Sequence, residues 1–142
     1  MSNDKLKKEL IRDEGYRLTS YQDSLGYWTI GIGHYLGLNR RMTTITRTEA
    51  EALFFSDVAE AERIVNSLIT YEGYISDARR RALVNMAFNL GPRLGLFKKF
   101  IGHVNAGKWA AAAFEMTNSK WAEQVGNRAE RLRDMIDRGT EV

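Results

Sequence analysis

The sequence predicts an α+β fold: a small β-hairpin lobe, one long helix leading out of it, and a larger all-helical lobe. Three observations carry that reading. Residues 16–33 alternate with the period-two pattern of strands, split by Asp23-Ser-Leu-Gly26. Residues 46–68 hold apolar side chains at three- and four-residue steps, over about six turns. Beyond residue 69 the pattern stays helical, broken by single glycines and by the only proline, Pro92.

Taken in order, residues 3–13 form a short helix with Leu6, Leu10 and Asp13 on one face, which Gly15 ends. Glu14 therefore stands at a helix end. The hairpin follows. Tyr16, Leu18 and Ser20 take one parity and Arg17, Thr19 and Tyr21 the other. Asp23 opens the turn, and Tyr27-Trp28-Thr29-Ile30-Gly31-Ile32-Gly33 returns. Two carboxylates and the Thr29 hydroxyl are thus delivered by neighbouring elements onto one ribbon. Residues 34–45 read as a loop, with Gly37 and Asn39 as breakers and Arg40-Arg41 as a basic pair. Met42 to Ile45 could add a short third strand.

Thr46-Arg-Thr-Glu49 is a capping box, in which the threonine oxygen takes an orphan backbone N–H and the glutamate reaches back. Ala50, Leu53, Phe54, Val58, Ala61, Ile64, Val65 and Leu68 then mark one stripe. Ser76 caps a helix that runs to Leu90 and stops at Gly91-Pro92. Further helices cover Lys98–Asn105, Lys108–Met116 and Asn118–Val125. Asn127 caps the last, which Gly139 closes. The chain reads as a single domain over 1–142. Its small lobe is about 14–46, its linking helix about 47–68, and its helical lobe about 69–142, packed with helix 3–13.

Composition narrows the classes. A chain of 142 residues is one domain's worth, and 44% hydrophobic with 27% charged residues is ordinary for a globular protein. Without cysteine the fold cannot rest on disulfides, which fits a reducing compartment. The opening MSNDKLKKELIRDEG is charged throughout, so neither a signal sequence nor a membrane span is expected. A net charge of +3 and a pI near 9.3 lean toward polyanionic partners, nucleic acid or bacterial wall polymer, and decide nothing alone.

At DEGYRLTSYQD…GYWTIGIGH the sequence resembles the phage-type lysozymes, the endolysin group. A glutamate, an aspartate nine positions on and a threonine six further, running into TIGIGH, is a specific combination. The likeness continues through TRTEAEALFFSDV, RRRALVNMAFNLG and W…SKW…NRAERL. Compared with that family the chain is short, with the missing length expected around 37–45.

The resemblance implies a lysozyme-like fold and hydrolysis of the β-1,4 bond between N-acetylmuramic acid and N-acetylglucosamine. Cleaving a glycosidic bond takes one protonated and one ionised carboxyl. By resemblance Glu14 is the general acid, Asp23 the base that activates a water on the opposite face, and Thr29 the holder of that water. Inversion follows, with carboxyls roughly 6.5–9.5 Å apart. Substrate contacts are implied for Gly33, Tyr35, Met86, Phe88, Asn89 and Trp121. Met86 and Trp121 also fit a packed core reading. Arg128 is implied to pair with Glu14. A cation there favours the ionised carboxylate while a general acid must keep its proton, a tension that desolvation by substrate would relieve. His34 and Asp57 are implied to form an ion pair tying the hairpin to the long helix. As metal ligands they lack a third partner, so no metal and no cofactor are expected.

The basic residues Arg79-Arg80-Arg81, Lys98-Lys99 and Lys120 would draw the enzyme to an anionic wall, unless they are an ordinary solvated face. The expected partner is peptidoglycan, with no nucleic acid and no membrane insertion, and the expected state is a monomer. With no export signal, a phage-encoded version would wait in the host cytoplasm for a membrane lesion and then act in the periplasm. Two other functions compete. A basic helical nucleic-acid-binding domain has only the pI and the Arg-rich helix in its favour. A catalytically inert wall-binding protein of the same fold is opposed by the presence of Glu14, Asp23 and Thr29 together.

Overall fold

The computed structural model describes residues 1–22, 26–38 and 42–140. The breaker Asn39 and the basic pair Arg40-Arg41 lie outside the described residues. The chain divides into two compact units, Asn3–Ala59 and Met1–Ser2 with Glu60–Val142. The boundary between the units falls inside the long helix.

In the unit Asn3–Ala59, helix α1 (Asn3–Glu14) buries Leu6 and Leu10. Gly15 ends it at φ +79°, donating its N–H to Ile11 O at 2.8 Å. Strands β1 (Arg17–Gln22), β2 (Trp28–Gly31) and β3 (His34–Gly37) form one antiparallel sheet in the order β1-β2-β3. Tyr21 pairs with Thr29, and Thr29 with Tyr35.

The third strand is therefore 34–37, where the sequence suggested loop. The physical reason lies in Gly31 and Gly33. Both take positive φ, +63° and +65°, and fold the chain back within two residues, so that Ile30 pairs with His34. The segment 42–45 makes only a single bridge, Thr19 to Thr44. It is anchored by Ser20 N–H on Thr43 O and Ile45 N–H on Leu18 O, both 2.9 Å.

Helix α2 (Arg47–Leu68) starts at the capping box. Glu49 N–H donates to Thr46 Oγ1 at 3.1 Å and Thr46 N–H to Glu49 Oε1 at 3.0 Å. Ala50, Phe54, Val58, Ala61 and Val65 form the buried centre of its stripe, while Leu53, Ile64 and Leu68 are only half-buried at its edges.

The second unit is helical. Helix α3 (Asp77–Leu90) is capped by Ser76, whose Oγ accepts the N–H of Arg79. After Leu90 the chain does not break into loop. Pro92 sits in the first turn of a 3₁₀ segment, Gly91–Leu96, where its missing N–H costs nothing. Helices α4 (Lys98–Asn105), α5 (Trp109–Thr117), α6 (Lys120–Val125) and α7 (Asn127–Arg138) follow. Ser119 caps α6. Asn127 does not cap α7. Gly126 holds that position and Asn127 is already the first helical residue. Gly139 closes α7 at φ +72°. Phe100, Val104, Met116, Leu132 and Ile136 lie in the buried interior.

The arginine run on α3 is not a solvated patch. Arg81 is 1% exposed and paired with Asp77. Burial pushes the Asp77 carboxyl up, but the Ser2 N–H and Arg81 outweigh it and hold it below its ordinary value. Arg79 lies 4.3 Å over the Trp109 ring and donates to Ile136 O at 2.7 Å and Asp137 O at 2.8 Å, serving the carbonyl end of α7.

Candidate active site

The expected site residues that the structure describes fall into two groups, one per unit. Glu14, Thr29, Gly33, His34, Tyr35 and Asp57 belong to the unit Asn3–Ala59. Met86, Phe88, Asn89, Trp121 and Arg128 belong to the helical unit. Asp23 lies outside the described residues.

Glu14 is the last residue of α1, and Gly15 turns the chain immediately into β1. Its side chain rests on the β2–β3 turn. A Cβ built on Gly33 would strike Glu14 Oε2 and come within 2.8 Å of Glu14 Cβ and Cγ. Gly33 is thus required twice, by its positive φ and by the carboxyl packed over it. Its role here is to seat Glu14. Thr29 stands in the middle strand, directly between Tyr21 and Tyr35 in register. The next residue, Ile30, is 1% exposed, so Thr29 takes the face away from that core.

His34 Nδ1–H donates to Asp57 Oδ2 at 2.7 Å. The hydrogen bond to Asp57 raises the His34 pKa above its ordinary value, partial burial opposes it, and the carboxylate charge adds to the rise. The contact joins β3 to α2. Among the described residues no group of three or more histidine, aspartate or glutamate side chains could hold a metal ion.

In the helical unit, Met86 is corrected. It is 0% exposed, within a run of seven buried residues from Arg81 to Ala87, and its thioether packs in the core, out of reach of a polymer. Trp121 is 3% exposed, and its indole N–H donates to Asn89 Oδ1 at 2.8 Å. The two residues singled out as separate contacts thus form one pair. An edge of Trp121 still reaches a pocket of about 250 Å³, shared with Leu90, Arg93, Leu96, Phe97 and Gln124. Phe88 and Asn89 are half-buried.

Arg128 is buried, and its Nε–H and Nη2–H both donate to Asn85 Oδ1, at 3.0 and 2.8 Å. Sequence reasoning missed Asn85. The available signal was an amide inside the apolar run ALVNMAF, where a buried polar group must find a partner.

With this geometry in hand, comparison with known proteins decides the family. A family model described as phage lysozyme matches residues 12–139. The chain belongs to the phage lysozyme family. It is 35% identical over 161 residues to "Probable T4-type lysozyme 1" of Dictyostelium discoideum, covering 95% of each chain. It is 30% identical to the "Endolysin" of Acyrthosiphon pisum secondary endosymbiont phage 1, covering 82% of this chain and 76% of that one. It is also 32% identical to the "Pre-baseplate central spike protein Gp5" of Enterobacteria phage T4. That match covers 94% of this chain but only 28% of the spike protein, so the likeness there is to one part of a longer molecule. As a member of the phage lysozyme family the protein is an enzyme, a glycoside hydrolase of the lysozyme type.

Proposed function

We propose that the protein hydrolyses the β-1,4 bond between N-acetylmuramic acid and N-acetylglucosamine in bacterial peptidoglycan, by an inverting acid/base mechanism. The observation that carries the reading is the seating of Glu14. The carboxyl at the end of α1 is pressed onto Gly33, in the same unit as the strand that presents Thr29. A proton donor must be held rigidly against the leaving oxygen, and packing over a glycine turn supplies that rigidity.

In this scheme Glu14 protonates the glycosidic oxygen as the bond stretches. Asp23 removes a proton from a water on the opposite face of the sugar, and Thr29 Oγ1 fixes that water by a hydrogen bond. Attack by the water inverts the anomeric carbon. In the helical unit Arg128 is a supporting residue, held by Asn85. In the unit Asn3–Ala59 the exposed Tyr35 provides a ring face for the glycan. The enzyme works as a monomer on the wall, from the periplasmic side, after a lesion in the inner membrane has released it.

The test is a zymogram on purified peptidoglycan followed by NMR of the freshly formed reducing ends. Glu14→Gln is expected to abolish clearing while thermal unfolding stays within a few degrees of the parent. An α-anomer released first marks inversion of a β-linkage. Full activity in Glu14→Gln removes that residue from the acid's role, and a β-anomer released first rejects the inverting scheme.

A further inference from the structure

The face of the sheet that carries Thr29 also carries an aromatic row, of which the reading above uses only Tyr35. In register, Tyr21 on β1, Thr29 on β2 and Tyr35 on β3 stand side by side. Directly paired residues in an antiparallel sheet project to the same face, so a tyrosine flanks Thr29 on each side. The burial pattern agrees. On β2 Ile30 turns into the core, while Tyr35 is 62% exposed and Tyr21 partly so.

Both rings are held. Tyr27 lies against Tyr35 with centroids 5.5 Å apart and planes tilted by 46°. The Arg17 guanidinium lies 4.5 Å from the centre of Tyr21. A braced ring loses less freedom when a ligand lies on it than a free one does. Two strand spacings separate Tyr21 from Tyr35, about 9–10 Å. Two linked pyranose rings span a distance of that order, and the apolar C–H faces of such sugars match the negative faces of aromatic rings.

We propose that Tyr21 is a further substrate-binding residue. It forms with Tyr35 a pair of stacking platforms for sugars on the two sides of the linkage that Thr29 attends, with Tyr27 and Arg17 as positioning residues. This rests on the lysozyme reading of the site. Because a platform grips the sugar equally before and during bond cleavage, its loss shows in KM and not in kcat.

The experiment uses soluble, uncrosslinked peptidoglycan strands. It measures kcat and KM for the wild type, Tyr21→Leu, Tyr21→Phe and Tyr27→Ala, and strand binding at 4 °C by each protein. Tyr21→Leu is expected to raise KM and weaken binding about fivefold to tenfold, with kcat within about twofold. Tyr21→Phe, which restores the ring, is expected to recover most of that loss, and Tyr27→Ala to fall between. Unchanged KM and binding in a folded Tyr21→Leu, beside an active wild type, overturns the row and leaves the lysozyme reading standing. So does an equal loss in Tyr21→Leu and Tyr21→Phe, which would place the effect in the hydroxyl. A wild type that neither cuts nor binds the strands overturns both.

Discussion

Replacing Asp57 by asparagine isolates the charge in the His34–Asp57 contact. The amide keeps the shape and an acceptor oxygen, so what is lost is the carboxylate's attraction for a protonated imidazole. The side chains are 27% and 29% exposed and meet at 2.7 Å. A fully exposed pair contributes roughly 0.2–1 kcal/mol, and a hydrogen bond to a charged group away from water about 1.5–3 kcal/mol. Burial of nearly three-quarters puts this contact between those ranges, at about 1–2 kcal/mol. For a chain of this size that corresponds to a fall in Tm of about 3–8 °C.

The pH dependence has a definite sign. Asp57 raises the folded-state pKa of His34 above its unfolded value. The stabilisation is therefore present in full below the unfolded histidine's value of about 6.5, and is lost as pH rises through the folded value. Melting curves followed by circular dichroism should show the deficit of Asp57→Asn at pH 5.5–6 and its near disappearance by pH 9. An NMR titration should show the His34 midpoint lower in the variant. Lysis of permeabilised Gram-negative cells should be largely retained. A deficit independent of pH, or an unmoved His34 midpoint, would refute the charged-pair account.

Other perturbations test the local arguments. Thr46→Ala removes one half of the capping box and should cost about 1 kcal/mol in urea unfolding; adding Glu49→Ala should cost less than its separate effect, because the two bonds act together. Gly33→Ala forces a Cβ into the Glu14 carboxyl at a positive φ, so lytic activity should drop at least tenfold, as measured by turbidity, beyond what a stability loss of about 1–2 kcal/mol explains. Asn85→Leu leaves two Arg128 N–H groups without their amide acceptor in the core and should lower urea stability by about 2–3 kcal/mol; an unchanged midpoint would show that the amide is dispensable.

What could be read from the sequence was what local chemistry determines. The Thr46–Glu49 box and the Ser76 cap require only residues three apart, and both formed with the expected bonds. The stripe of α2 and the closure by Gly139 are likewise short-range facts. The cap expected at Asn127 failed locally, by one position, to Gly126; the other failures concern partners outside the window read. Strand β3 exists because Gly31 and Gly33 reverse the chain and offer His34 to Ile30, which no window over 34–45 reveals. The Arg79-Arg80-Arg81 run looks like a solvated face until Asp77, Trp109 and the end of α7 are in place around it. Met86 and Trp121 both fitted core and contact readings, and only packing separated them, sealing the first and leaving the second an edge on a pocket. Within the candidate site, the spacing of Glu14 and Thr29 only nominated them, whereas the packing of Glu14 over Gly33 and the bonding of Arg128 to Asn85 needed three dimensions.

The division of the chain falls between Ala59 and Glu60, in mid-helix. Domains that meet at an exposed linker can be cut apart and studied singly. Here a cut would sever a continuous hydrogen-bond ladder and leave two stubs, each near or below the ~12–15 residues at which a lone helix is marginal in water. Melting of either unit would strip the packing from half of that rod and fray the other half. Denaturation is therefore expected to register as one cooperative event, and neither fragment is a sound vehicle for dissecting the whole.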